Sequence, residues 1–169
     1  EGLDDKLAGK LVDYYLDRLI SNPNNHDKVE FEIIFSCYTL DLSTRIKVLK
    51  KYGFDDSEIL TITKELRKLT NKIINKDGLW KKDVDKLKEL EERHTKIIES
   101  KMPILEKIYW LLEYCRRYGT LPFAGLARAG FIAVQLLQSA VQKKIISEDE
   151  YQFFLGSLNS VSSTMKNDL

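Results

Sequence analysis

Asp55-Asp56-Ser57-Glu58-Ile59-Leu60-Thr61-Ile62-Thr63-Lys64-Glu65-Leu66-Arg67-Lys68-Leu69-Thr70-Asn71-Lys72-Ile73 decides the fold class. Its apolar residues Ile59, Ile62, Leu66, Leu69 and Ile73 step by 3, 4, 3 and 4. That is the seam of a helix packed along one face. Asp55 and Glu58 have the spacing of a capping box, which marks the start. Asp77-Gly78 makes a turn, and a second amphipathic helix follows with Trp80, Val84, Leu87, Leu90, His94 and Ile97 or Ile98 on its apolar side. The two predict a long antiparallel helical hairpin. Glu89/Arg93 and Glu92/Lys96 stand at the helpful i, i+4 spacing on its charged outside.

The rest of the chain reads the same way. Glycine (8) and proline (3) are scarce and sit at boundaries, as in helices joined by short turns. Leu3, Leu7, Leu11, Tyr14, Tyr15 and Leu19 form a helical stripe that Ser21-Asn22-Pro23-Asn24-Asn25 breaks. Residues 29–38 are ambiguous. Val29, Phe31, Ile33 and Phe35 alternate as in a short strand, whereas Asp27 and Glu30 have capping-box spacing. Helix is favoured, because nothing else in the chain offers a strand to pair with. Ser43 caps a short helix that ends at Gly53. Pro103 opens a helix that stops at Gly119, and Pro122 opens another running to about Lys144. Ser147 and Glu150 form a capping box for the last helix, which buries Tyr151, Phe154, Leu155, Leu158 and Val161. The expectation is an all-α fold of about seven or eight helices, with residues 1–169 as a single helical domain.

Hydrophobic residues make up 43% of the chain, enough for a core and against disorder. Basic residues (27) balance acidic ones (26), so no overall field draws the protein to nucleic acid or an anionic membrane. Cys37 and Cys115 are too few and too far apart for a disulfide framework, which points to a reduced, cytoplasmic setting. With His26 and His94 as the only histidines, a zinc site is not expected. The chain opens without Met, as an excised part of a larger protein would. No purely apolar run of membrane-spanning length occurs. Walker, Rossmann, nucleophile-elbow and zinc-protease motifs are absent as well.

Within this charged chain, residues 118–142 carry a single charge, Arg128. The segment reads as a buried helix. An Arg there must snorkel, find an acid inside the fold, or face a site. Thr120-Leu121-Pro122 lies at the expected helix start, where free N–H groups and the dipole suit an anion. Arg117 ends the preceding helix. Arg128, Arg117 and Thr120 are therefore the candidate substrate-binding residues, able to converge on a carboxylate or phosphate. Each has a structural reading too. Arg128 can pair with a buried acid, Arg117 can stabilise a helix C-terminus, and Thr120 can cap. Gly125, Ala129 and Ala133 share a face that a neighbouring helix can approach closely. His94 reads as a half-buried histidine, and Trp80 and Trp110 as core anchors.

Two stretches carry a resemblance. One is Asp27-Lys28-Val29-Glu30-Phe31-Glu32-Ile33-Ile34-Phe35-Ser36-Cys37-Tyr38-Thr39. The other is Tyr118-Gly119-Thr120-Leu121-Pro122-Phe123-Ala124-Gly125-Leu126-Ala127-Arg128-Ala129-Gly130-Phe131. Both resemble the helical middle region of phosphoenolpyruvate synthase-like phosphotransferases. The likeness is nearest to the branch of surface-polysaccharide clusters that includes a glutamine kinase. It extends from about Lys6 to Asp168.

The resemblance implies a part of a kinase-type transferase that combines an ATP-grasp domain with a swivelling phosphohistidine domain. It implies ATP and Mg for the full-length enzyme and no cofactor in this part. It implies neighbouring ATP-binding and phosphohistidine domains of the same chain as partners, and a small-molecule acceptor. The chain lacks the glycine-rich ATP-binding elements, and neither His26 nor His94 stands in the phosphohistidine motif, so no phosphocarrier role transfers to them. Nor is the part alone expected to be active. Phosphoryl transfer needs positioned cationic groups, and Arg128, Arg117 and Thr120 are the candidates for gripping the acceptor or the incoming phosphohistidine, with Asp27, Glu30 and Glu32 as a weaker cluster. The competing expectation is a non-catalytic helical module for protein interaction or dimerisation, betrayed by an exposed apolar stripe at Ile59, Ile62, Leu66 and Leu69.

Overall fold

A computed structural model describes residues 2–158 of the chain. The fold is all-α, with no strand among the described residues. Among the described residues six helices follow one another, rather than seven or eight. They are α1 (Asp5–Ser21), α2 (Leu42–Arg45), α3 (Asp56–Ile74), α4 (Leu79–Glu99), α5 (Ile104–Gln142) and α6 (Glu148–Ser157). Val161, assigned to the last helix from sequence, lies outside the described residues.

The shortfall comes from α5. The helices expected on either side of Gly119 are one run, with α-helical Ile104–Tyr114 and Leu121–Gln142 joined by the π-helical turn Cys115–Thr120. Gly119 does not adopt the left-handed conformation that ends a helix. Pro122 lacks an N–H and would crowd the carbonyl four residues before it. A widened turn at that point lets the helix continue past it.

The chain divides into two compact units. One takes in the residues up to Thr63 and those from Ala133 onward; the other is Lys64–Ile132.

In the first unit, α1 turns Leu7, Leu11 and Tyr14 inward. Tyr14 meets Tyr52 edge-on, with ring centroids 4.7 Å apart, and lies near Tyr15, Phe35 and Phe54. Such aromatic pairs add specific geometry to area burial. Leu42, Ile46 and Leu49 complete this core. The helix opened by α2 tightens into a 3-10 segment, Ile46–Tyr52, and ends at Gly53 with φ +79°, the expected C-terminal glycine. Asp55 and Glu58 bond each other's backbone N–H, at 2.8 and 2.9 Å, as their spacing predicts. The same holds for Ser147 and Glu150 at the start of α6. Of the residues expected to be buried by α6, Tyr151 is buried and Leu155 half-buried, whereas Phe154 and Leu158 are exposed.

Residues 29–38 are neither a regular α-helix nor a strand. Val29–Ile33 form a π-helical turn, and the chain then runs extended. Ile33, Phe35, Cys37 and Thr39 are buried in alternation, so the period of two in the sequence reports an extended path. No side-chain cap starts the turn, contrary to the Asp27/Glu30 spacing.

In the second unit, α4 packs along α5. Lys107 Nζ donates to Ile98 O, the Arg93 guanidinium lies 5.0 and 4.4 Å from the Tyr114 and Tyr118 ring centroids, and Leu90 lies against Gly119. Asp83 comes up against Gly125, the close approach that the small-residue face predicts. Positions on α4 thus descend as those on α5 ascend. Gly78 is required where α4 begins, since a Cβ there would lie 2.4 Å from Ile73 O. Ile62 and Ile73 of α3 are buried and Ile59, Leu66 and Leu69 half-buried, so the stripe proposed as an exposed contact face is turned inward. Trp80 and Trp110 are exposed rather than core anchors, and His94 is exposed rather than half-buried. The Trp80 indole donates to Asn75 O at 2.8 Å.

Candidate functional site

Arg128 stands exposed on α5 and makes no hydrogen bond or ion pair among the described residues. No acid among the described residues pairs with it. Its helix is also less buried than its composition suggests. Leu121 and Phe123 are exposed, and burial is concentrated further on, at Ile132, Gln135, Ser139 and Ala140. By length and composition, Ile104–Gln142 would suffice to cross a bilayer, and 17% of its most apolar stretch is buried inside the protein.

Arg117 and Arg116 share one carboxylate, that of Glu113. Arg116 Nη2 is 2.7 Å from Glu113 Oε1, and Arg117 Nε donates to the same oxygen. Hydrogen bonds from Arg116 and then Arg117 hold the Glu113 carboxyl at a pKa of about 2. Two cations against one anion leave a net positive charge on this turn. Thr120 does not cap a helix. Its hydroxyl donates to Cys115 O at 3.4 Å, five residues back, within the widened turn. Because α5 is continuous here, no set of free N–H groups opens at Thr120-Leu121-Pro122. All three candidate residues are exposed. They lie on one helix rather than around an enclosed cavity.

The polar residues of the uncharged run that hold structure are others. Gln135 and Ser139 are buried on α5 and serve the extended segment of the first unit. Gln135 Nε2 donates to Glu30 O (3.0 Å) and Ser36 Oγ (2.8 Å), while its Oε1 accepts from Cys37 Sγ (3.5 Å). Ser139 Oγ accepts from Leu40 N at 3.1 Å. From α1, Tyr15 Oη accepts from Phe35 N, and Arg18 donates to the Ile33 and Glu32 carbonyls. These side chains supply what a neighbouring strand would supply to residues 29–40. The sequence signal was Gln135 and Ser139 themselves, two polar residues four apart in an apolar helix.

Cys37 is buried, and burial pushes its thiol pKa up, so it is a poor nucleophile. Cys115 is exposed and free. Asp27, Glu30 and Glu32 are exposed, and no group of three potential metal ligands occurs among the described residues. No family model matches the chain, and neither does any curated protein or solved structure.

Proposed function

We propose that this chain is the helical middle part of a phosphoenolpyruvate synthase-like phosphotransferase. In it, residues 117–128 of α5 hold an acceptor substrate or receive the phosphohistidine domain. One observation carries the reading: Arg128 is exposed on an apolar helix and has no acid paired with it among the described residues. A guanidinium carries five donors in a planar fork suited to carboxylate and phosphate. One left unspent inside the protein is free for a group outside it. The net positive charge of Arg116, Arg117 and Glu113 supports the same direction. On this reading the neighbouring ATP-binding and phosphohistidine domains belong to the same chain, ATP and Mg are held by the former, and the enzyme works in the cytoplasm on a small-molecule acceptor.

The test is ATP-dependent phosphoryl transfer by the product of the uninterrupted reading frame. Arg128→Ala is expected to lower kcat/KM for the acceptor about tenfold to a hundredfold, the value of a charge-assisted hydrogen bond, with the melting temperature unchanged. Unchanged turnover in Arg128→Ala and Arg117→Ala alike would remove these residues from the site. A reading frame without ATP-binding and phosphohistidine regions would remove the family reading.

A second reading is favoured by a separate observation. Ile104, Leu105, Ile108, Tyr109, Leu112 and Phe123 are all exposed along α5. Such exposed apolar residues, clustered at residues 104–112, mark a contact surface and fit a non-catalytic module for protein interaction or dimerisation. The antiparallel pairing expected of α3 and α4 belongs to this reading too, but without the exposed Ile59, Ile62, Leu66 and Leu69 stripe as its contact face.

A further inference from the structure

The first unit contains two adjoining clefts that share Phe31, Glu32 and Arg45. One, of about 400 Å³, is walled by Tyr14, Arg18, Phe35 and Tyr52. The other, of about 480 Å³, is walled by Asp41, the amides of Gln135 and Gln138, Glu148 and Tyr151. Both volumes lie within the range of small-molecule sites. The π-helical turn Val29–Ile33 supplies the shared wall, and such turns are frequent at functional sites.

Arg45 stands between the clefts in a loose ion pair with Asp41. Its Nη1 is 3.9 Å from Asp41 Oδ1, beyond hydrogen-bond reach, and its Cζ is 5.9 Å from the Phe35 ring centroid. Asp41 Oδ1 is engaged instead by Thr39 Oγ1 at 2.6 Å. Arg45 donates no hydrogen bond among the described residues, although its side chain is only 37% exposed. Arg18 differs, since it spends its guanidinium on the Ile33 and Glu32 carbonyls. Charge divides the two clefts. The aromatic one is lined by Arg18 and Arg45 against Glu32, the other by Glu32, Asp41 and Glu148 against Arg45. The aromatic cleft is thus the cationic side. It offers an open fork beside the rings of Phe31, Phe35 and Tyr52.

We propose that the aromatic cleft binds a small organic oxyanion, a carboxylate or phosphate monoester with a flat apolar body, with Arg45 as its anchor. The fork takes two oxygens, and the rings take the body. The site lies wholly in the first unit, and it stands whether or not the phosphotransferase reading does.

Benzoate and phenyl phosphate serve as probes, with benzyl alcohol as the neutral control, followed by calorimetry or amide chemical shifts on the purified chain. At least one oxyanion is expected to bind saturably at about 1 mM or tighter, and benzyl alcohol far more weakly. The stronger of the two identifies the oxyanion. Arg45→Gln should weaken that binding about tenfold or more, and Arg45→Lys should recover only part, because it keeps the charge but not the fork. Should Arg45→Gln unfold the protein, Arg45→Lys alone decides, with weakened binding and an unchanged melting temperature as the expected result. No saturable binding of either oxyanion, equal binding of benzyl alcohol, or wild-type affinity in a folded Arg45 variant would each overturn the proposal.

Discussion

Tyr15 illustrates how a single side chain takes over backbone work. Its hydroxyl accepts the Phe35 N–H at 3.1 Å, a donor that no strand is present to receive among the described residues. Tyr15→Phe keeps the ring and leaves that N–H unpaired. A loss of about 1–2 kcal/mol in urea unfolding is expected, the cost of an unsatisfied half-buried donor. Burial also raises the Tyr15 pKa from 10.0 to about 12, against the Phe35 hydrogen bond, which lowers it. Since the folded value is the higher one, this contribution is intact below pH 10 and fades as pH rises from 10 towards 12. Wild type should lose stability through that window more steeply than Tyr15→Phe. Equal slopes would mean that the hydroxyl is not held as described. None of this was legible from residues 29–38 alone. Their alternation declared an extended path but not what would satisfy it, because the partners lie on α1 and α5, 14 to 105 positions away. Arg128 was legible as an isolated charge. Its exposure was not, since a count of apolar residues does not say which face of a helix meets water.

At the scale of elements, local chemistry was the readable part. The Asp27/Glu30 spacing forms no cap, but the boxes Asp55/Glu58 and Ser147/Glu150 and the glycine after the 3-10 segment stand where spacing put them. Each is a contact within a few residues, so sequence distance and spatial distance coincide. Gly119 misled for the complementary reason. A glycine ends a helix only when the chain takes the left-handed turn, and Gly119 sits in the π-helical turn without it. Alanine at the two glycines separates these roles. Gly53→Ala forces a side chain into φ +79° and should cost about 1 kcal/mol, although space around it is open. Gly119→Ala meets only Leu90 Cδ2 at 3.4 Å and Cys115 Sγ at 3.6 Å, and it sits inside a helix. It should be neutral or add up to about 1 kcal/mol, as alanine does over glycine in helix interiors. Thermal melts of the two variants moving in the same direction would contradict the continuity of α5.

For the whole molecule, the question is which apolar side chains build the two units and which are left for something else. Leu49 is fully enclosed in the first unit and Ile97 is buried in the second, while Leu105 and Leu112 of α5 are 77% and 68% exposed. Hydropathy alone ranks all four as core residues. Burial separates them, and stability should follow burial. Leu49→Ala and Ile97→Ala should each cost about 2–5 kcal/mol, the sum of lost transfer energy and the cavity left behind. Leu105→Gln and Leu112→Gln remove side chains that already face water, and should change unfolding free energy by no more than about 0.5 kcal/mol. Their effect should appear elsewhere, as higher solubility or a lower apparent mass in sedimentation, because an apolar face of this size seeks a partner. If the glutamine variants instead lost several kcal/mol, the exposed side of α5 would be part of the folded core. The docking reading would then have no surface to rest on. If they kept both stability and mass, that face would be unpartnered under the conditions tested, and the unspent guanidinium of Arg128 would be the stronger guide to what α5 meets.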